Sequence, residues 1–262
     1  MKNAPINNRI NSLFDKKPGQ ILSVYFTAGY PEHDDTVPII RLLEESGVDL
    51  IEIGIPFSDP TADGPIIQQS SDRALKNGMT MEKLFEQLKD IRNEIKVPLI
   101  LMGYFNPVLQ YGVERFCRHC RESGIDGVIL PDLPPEEYFE NYQALFEASG
   151  LHNILLITPQ TSDHRIREID QLCSGFIYMV SSSSTTGTGK KVEDFRTDYF
   201  ERVAGLNLKN PRLIGFGISD KATFDNACRF ASGAIIGSAF VKALGNGRPD
   251  SVVPEFIRSI KP

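Results

Sequence analysis

Glu52 interrupts the apolar run Leu50-Ile51-Glu52-Ile53-Gly54-Ile55, at a position that strand alternation turns to the same side as Leu50 and Gly54. A carboxylate placed inside a fold needs a partner or a purpose, because burying its charge is costly. The bland reading is a glutamate facing outward to a helix, or one held in a satisfied internal network. The loop that follows, Pro56-Phe57-Ser58-Asp59-Pro60-Thr61-Ala62-Asp63-Gly64-Pro65, carries two more acids between prolines that restrict the backbone. Asp before Pro or Gly is ordinary turn chemistry, and for Asp59 and Asp63 that reading stands beside a catalytic one. Three acids converging on one rim favour general acid–base chemistry.

A second group of residues suits an anion. Gly215-Phe216-Gly217-Ile218-Ser219 follows one apolar run, and Gly237-Ser238 follows the next and opens a helical stretch. Glycine turns let backbone amides approach a phosphate closely, although tight-turn glycines alone would look the same. Other chemistries find less support. No lysine lies within an apolar strand candidate, so a Schiff base is unsupported. None of the four histidines pairs with acids at metal-ligand spacing. Cys117 and Cys120 flank His119 but lack a second ligand pair, and all four cysteines read as thiols. No metal site is expected, and acid–base cleavage of a carbon–carbon bond fits what remains.

These residues need a scaffold. Short aliphatic runs at 22–27, 50–55, 98–102, 127–131, 154–158, 176–181, 212–216 and 233–236 alternate with segments of helical period at 35–46, 81–95, 113–123, 135–149, 163–172, 195–206, 221–230 and 240–244. Thr80, Ser162 and Ser219 are placed to cap helix starts, and Gly47, Gly124 and Gly150 to end helices. Repeated βα units make a parallel sheet, and eight evenly spaced ones close a (β/α)₈ TIM barrel. An open, doubly wound sheet is the alternative. Helices at 7–14 and 252–260 are extra and suited to plugging barrel ends, and residues 1–262 read as one domain. Barrel chemistry sits at the C-terminal ends of the strands, which is where the acids and glycine turns fall. The Ser/Thr/Gly stretch 181–190 is then a lid over that rim rather than a linker.

Composition narrows the partners. A net charge of −6 gives no whole-chain attraction for nucleic acid or an anionic membrane. No apolar run reaches the roughly 18 residues needed to cross a bilayer, and the first residues lack a basic-then-apolar signal, so the cytoplasm is expected.

With the motifs set side by side, the chain resembles the tryptophan synthase α-subunit family. The resemblance rests on Phe26-Thr27-Ala28-Gly29-Tyr30-Pro31, on Ile51 through Pro60 with Ala62-Asp63-Gly64-Pro65, on Met102-Gly103-Tyr104-Phe105-Asn106-Pro107, on Pro131-Asp132-Leu133-Pro134 and on Gly215-Phe216-Gly217-Ile218. It implies retro-aldol cleavage of indole-3-glycerol phosphate into indole and glyceraldehyde 3-phosphate. Glu52 would be the catalytic glutamate, Asp63 the catalytic aspartate and Tyr178 the tyrosine beside the glutamate. Gly187, Gly217, Gly237 and Ser238 would bind the substrate phosphate, and Thr186 would be the lid threonine. Phe26, Met102 and Ile66 would line the indole pocket.

The resemblance further implies a β subunit that carries pyridoxal phosphate, receives indole through a tunnel and assembles as α₂β₂. This chain would hold no cofactor of its own, and Pro56 and Asp59 would lie in the loop that meets the partner, with the regions around Asn106-Pro107 and 131–134 nearby. One departure is visible: many members carry a Ser-Arg-Ser-Gly-X-Thr-Gly lid, where this chain reads Ser181-Ser182-Ser183-Ser184-Thr185-Thr186-Gly187. The resemblance therefore implies nothing about the contacts made by that arginine. Rival readings are a regulatory subunit that mainly activates a β partner, a stand-alone indole-releasing lyase, and a different phosphate-binding barrel.

Overall fold

A computed structural model describes residues 6–181 and 197–261. Its strands are β1 (Ile21–Thr27), β2 (Leu50–Gly54), β3 (Leu99–Met102), β4 (Gly127–Ile129), β5 (His152–Asn153), β6 (Leu155–Ile157), β7 (Ile177–Val180), β8 (Arg212–Gly215) and β9 (Gly233–Ile236). They form one sheet in the order β5-β4-β3-β2-β1-β9-β8-β7-β6, with every pair parallel. The two ends of that order are consecutive in the chain, separated by Ile154 alone. Ile154 N–H donates to Val128 O at 3.0 Å, while Leu155 pairs with Ile177 on the other side. The segment spanning β5 and β6 therefore passes from one neighbour to the other and closes the sheet into a TIM barrel. The expectation of eight units holds, with the fifth strand divided at the seam.

Alternation along the strands produces two apolar cores. Leu22, Val24, Phe26, Ile51, Ile53, Leu99, Leu101 and Ile214 face outward and are covered by the helices. Ile21, Leu50, Ile100, Ile129, Ile154, Phe176, Tyr178, Leu213 and Ile235 fill the interior. Fully burying each such aliphatic side chain contributes roughly 1.5–3 kcal/mol. The helix Arg9–Lys16 inserts Ile10 into the interior cluster and so plugs the N-terminal end. Asn8 caps that helix and also donates from its amide to Asp126 O and Gly150 O, at 2.7 and 3.0 Å, which ties the plug to the barrel floor. The C-terminal helix Pro249–Ile260 does not plug the other end: Val253, Ile257 and Ile260 join the outer core.

Local chemistry sets the helix ends. Thr80 and Ser162 cap as expected, accepting from Lys83 N and Arg165 N, and Gly47, Gly124 and Gly150 take positive φ beyond helix ends. Before the helix Lys221–Ala227 the cap is Asp220 rather than Ser219. Two helices were not expected, Pro65–Lys76 and Phe105–Tyr111. The first buries Ile67, Ser70, Ser71 and Ala74. Its inward stripe has the helical period but is half serine, which disguises it in the sequence. Among the described residues, no helix is long and apolar enough to cross a membrane.

Candidate active site

Glu52 lies at the middle of β2 and points into the barrel with Leu50, as alternation requires. Its side chain is fully buried. Ser23 Oγ on β1 donates to Glu52 Oε1 at 2.7 Å, and Oε2 has no hydrogen-bond partner among the described residues. Burial removes the solvation of the charged form and raises the Glu52 pKa to about 7, with the Ser23 hydrogen bond opposing the rise. The carboxyl is thereby poised to take and give a proton near neutral pH.

Two tyrosines flank it. Tyr25 is the register partner of Glu52 on β1, and Tyr178 reaches in from β7. Each phenol rests over a glycine of the adjoining strand, Tyr25 over Gly54 and Tyr178 over Gly215, where a Cβ would overlap the hydroxyl. Burial raises both phenol pKa values, and the nearby carboxylates Glu52 and Asp63 add to the effect. Both rings stay protonated donors across the working pH range. Thr27 Oγ1, beside Tyr25, is 2.7 Å from Ser70 Oγ, which donates to Ile67 O, so β1 is bonded to the helix behind the acid loop.

Asp63 hangs over the same space from the loop after β2. The loop is held by Asp63 N–H donating to Pro60 O at 3.1 Å and by the Gln68 amide donating to Asp63 O at 2.9 Å. Tyr104 O–H donates to Asp63 Oδ2 at 3.0 Å and accepts from Ala62 N–H at 2.9 Å, so one hydroxyl fixes both the carboxylate and its loop. Burial raises the Asp63 pKa and the Tyr104 hydrogen bond lowers it. Asp59 does not converge with the other two acids: it is exposed and borders neither cavity at the barrel mouth. Asp-Pro turn chemistry accounts for it there. Pro56 is buried.

Glu52, Asp63 and Tyr178 border one cavity of about 360 Å³, whose opposite wall is formed by Gly217, Ser219, Gly237 and Ser238. Phe216 and Gly217 both adopt left-handed φ, +67° and +75°, which turns consecutive backbone amides at the end of β8. Such a conformation in a phenylalanine is held in place: Ser181 donates from its hydroxyl to Phe216 O and from its N–H to Gly215 O, and the Phe216 ring packs edge-on against Tyr178. Lys242, one turn past Ser238, is the single cation among the described residues lining the cavity. Thr186, Gly187 and nearly all of the 181–190 lid lie outside the described residues.

Met102 and Ile66 line the cavity as expected, but Phe26 does not. Phe26 is fully buried in the outer core, and Tyr25 takes the pocket position. A one-residue change of phase along a strand moves a side chain to the other face. The sequence carried a signal for this: Ser23, Tyr25 and Thr27 form a polar set at every second residue of β1, the mark of a face turned toward a site. Ser23 shares that signal, Lys242 has none of this kind, and Tyr104 and Phe216 stand in the quoted motifs without an assigned role. A second cavity of about 330 Å³ shares Tyr25, Asp63, Met102 and Phe216 with the first and extends to Phe57 and Tyr104.

Comparison with known proteins identifies the family of this barrel. The family described as tryptophan synthase alpha chain matches residues 13–256. The tryptophan synthase alpha chain of Christiangramia forsetii is 59% identical over 254 residues, covering 97% of this chain and 98% of the relative. That of Flavobacterium psychrophilum is 59% identical over 247 residues, covering 94% and 96%. Among solved structures, tryptophan synthase subunit alpha from Legionella pneumophila superposes with a TM-score of 0.85 at 33% identity, covering 97% of each chain. A chain of Mycobacterium tuberculosis tryptophan synthase gives 0.85 at 30% identity, covering 97% of this chain and 99% of that one. With a family match across nearly all of its barrel, this chain belongs to the tryptophan synthase alpha chain family and has its role in tryptophan biosynthesis.

Proposed function

We propose that the chain cleaves indole-3-glycerol phosphate to indole and glyceraldehyde 3-phosphate by carboxylate acid–base catalysis. The observation that carries this reading is one cavity bordered by a buried, near-neutral glutamate, a second acid, and the glycine turns after β8 and β9. In this reading the substrate phosphate lies against Gly217, Gly237 and Ser238.

Glu52 in its acid form protonates indole C3, which places positive charge on the ring nitrogen. Asp63, ionised, accepts the indole N–H and stabilises that charge in a site shielded from water. The Glu52 carboxylate then takes the side-chain hydroxyl proton. The carbon–carbon bond breaks, its electron pair restores the aromatic ring, and the hydroxyl carbon leaves as the aldehyde. Glu52 ends in the acid form in which it began. Tyr178 walls the ring beside the glutamate. The acid–base equipment belongs to this chain alone; pyridoxal phosphate belongs to the β partner. Indole passes to that partner in an α₂β₂ assembly, by way of the second cavity and the loop holding Pro56 and Asp59, which fits the exposure of Asp59.

The test is indole formation from indole-3-glycerol phosphate by the purified chain, with and without a β subunit, for wild type, Glu52→Gln and Asp63→Asn. Wild-type activity that rises with the partner and is lost in both variants supports the reading. Equal rates in wild type and Glu52→Gln would remove the role given to Glu52.

A further inference from the structure

Ser23 and Glu52 are both fully buried, and the 2.7 Å hydrogen bond between them is the only one that either side chain makes among the described residues. Resting on the lyase reading above, we propose that Ser23 is a positioning residue: by donating to Glu52 Oε1 it keeps the exchangeable proton on Oε2, the oxygen left for substrate.

A hydroxyl has one hydrogen to give. With that hydrogen directed at Oε1, a second proton on the same oxygen would be opposed by it. Ser23 could turn and accept instead, but its own hydrogen would then lack a partner in a dry interior, a cost comparable to losing a buried hydrogen bond. The acid form of Glu52 therefore carries its proton on Oε2, which has no partner to hold it among the described residues. A shuttle that must collect a proton from one substrate atom and deliver it to another works best when a single oxygen does both. Without the anchor the carboxyl would divide its proton between two oxygens and turn about its terminal torsion.

The other groups facing Glu52 cannot do this. Tyr25 from β1, Tyr178 from β7 and Asp63 from the loop after β2 make no hydrogen bond to it among the described residues, and the β3 side chains Ile100 and Met102 carry no charge. Burial itself disfavours the carboxylate. Ser23 is the single donor that favours it.

The experiment compares Ser23→Val with Ser23→Thr in the full-length chain. The two side chains are nearly equal in shape, and only threonine keeps the hydroxyl. Indole release is followed against pH, and the Glu52 carboxyl is titrated by ¹³C NMR in glutamate-labelled protein, its signal assigned by loss in Glu52→Gln. In Ser23→Val the Glu52 titration is expected to move up by roughly one to two pH units. Its kcat is expected to fall about 10- to 100-fold with KM little changed. Ser23→Thr is expected to restore both. An active wild type matched by Ser23→Val in titration and kcat would leave the lyase reading standing and overturn the proposal. So would equal loss of activity in both variants with an unmoved titration, since that marks packing alone. A wild type that releases no indole under any condition would instead overturn the lyase reading.

Discussion

The Tyr178 phenol lies flat against Gly215: a Cβ added to that glycine would stand on the hydroxyl and the adjoining ring carbons. Tyr178 can border the cavity beside Glu52 only because the neighbouring strand has no side chain at that point. Gly215→Ala is therefore expected to push the ring into the substrate space. Indole release should fall at least about ten-fold, and unfolding free energy should drop by about 1–3 kcal/mol, the usual cost of overpacking. Adding Tyr178→Phe removes the phenolic oxygen and part of the clash, so the pair should be less destabilised than the sum of its members. A urea-denaturation cycle on the four proteins measures this; strict additivity would mean the contact is relieved without touching Tyr178.

Glu52 should reduce stability at the pH where it works. Its pKa is about 7 in the fold against an ordinary value of 4.5. Below pH 4.5 both states hold the proton and the group is neutral in effect. Between 4.5 and 7 the unfolded chain releases a proton that the native state retains, so the native state loses ground as pH rises, by about 3 kcal/mol in all. Glu52→Gln keeps an acceptor for Ser23 and cannot ionise. It should be inactive yet more stable than wild type at pH 8, with the gap closing toward pH 4. Paired unfolding curves at the two pH values decide it.

His152 should do the opposite. Burial lowers its pKa from 6.5 to about 4. Asn11 Oδ1 accepts from the Asn8 N–H, so the 2.8 Å contact with His152 makes Nε2 the protonated nitrogen, and Nδ1 accepts from the Ser174 hydroxyl at 2.8 Å. That network is built for a neutral ring. As pH falls from 6.5 to 4 the unfolded chain takes up a proton that the native state refuses, and about 3 kcal/mol of stability is lost. The Glu52 and His152 slopes nearly cancel in wild type. Glu52→Gln should uncover the histidine slope, and His152→Gln, which can serve both partners with its amide, should uncover the glutamate slope. Urea midpoints from pH 4 to 8 that show the same slope in all three proteins would contradict this.

The phase of β1 predicts a separation of effects at adjacent residues. Phe26→Ala opens a hole in the outer core and should cost about 3–5 kcal/mol while leaving KM for substrate unchanged. Tyr25→Ala removes an aromatic wall of the cavity and should raise KM roughly three- to ten-fold. Steady-state kinetics beside thermal unfolding would show the pattern, and a KM effect from Phe26→Ala would place that ring in the pocket after all.

What the sequence by itself determined was local. Glu52 sits between Leu50 and Gly54 in a strand with a period of two, so its inward direction follows from its neighbours. The turns at Gly215-Phe216-Gly217 and Gly237-Ser238 are read from residue type, since close backbone approach and left-handed φ demand glycine at or beside them. Thr80 and Ser162 mark helix starts for an equally short-range reason. The tertiary structure decided the rest. The pocket side of β1 depends on phase, and the pairing of Tyr25 with Glu52 on the next strand sets that phase. Ser23 became a partner of Glu52 only when β1 was laid against β2, and Tyr104 met Asp63 only when the end of β3 came under the acid loop. The helix Pro65–Lys76 stayed hidden because its inward stripe uses Ser70 and Ser71, which read as surface until the Thr27 hydroxyl is there to satisfy Ser70. Asp59 looked like a third converging acid because sequence distance cannot distinguish the inner side of a loop from its outer side. Contacts between strands far apart in the chain depend on how the barrel closes, and closure is a property of all its strands together.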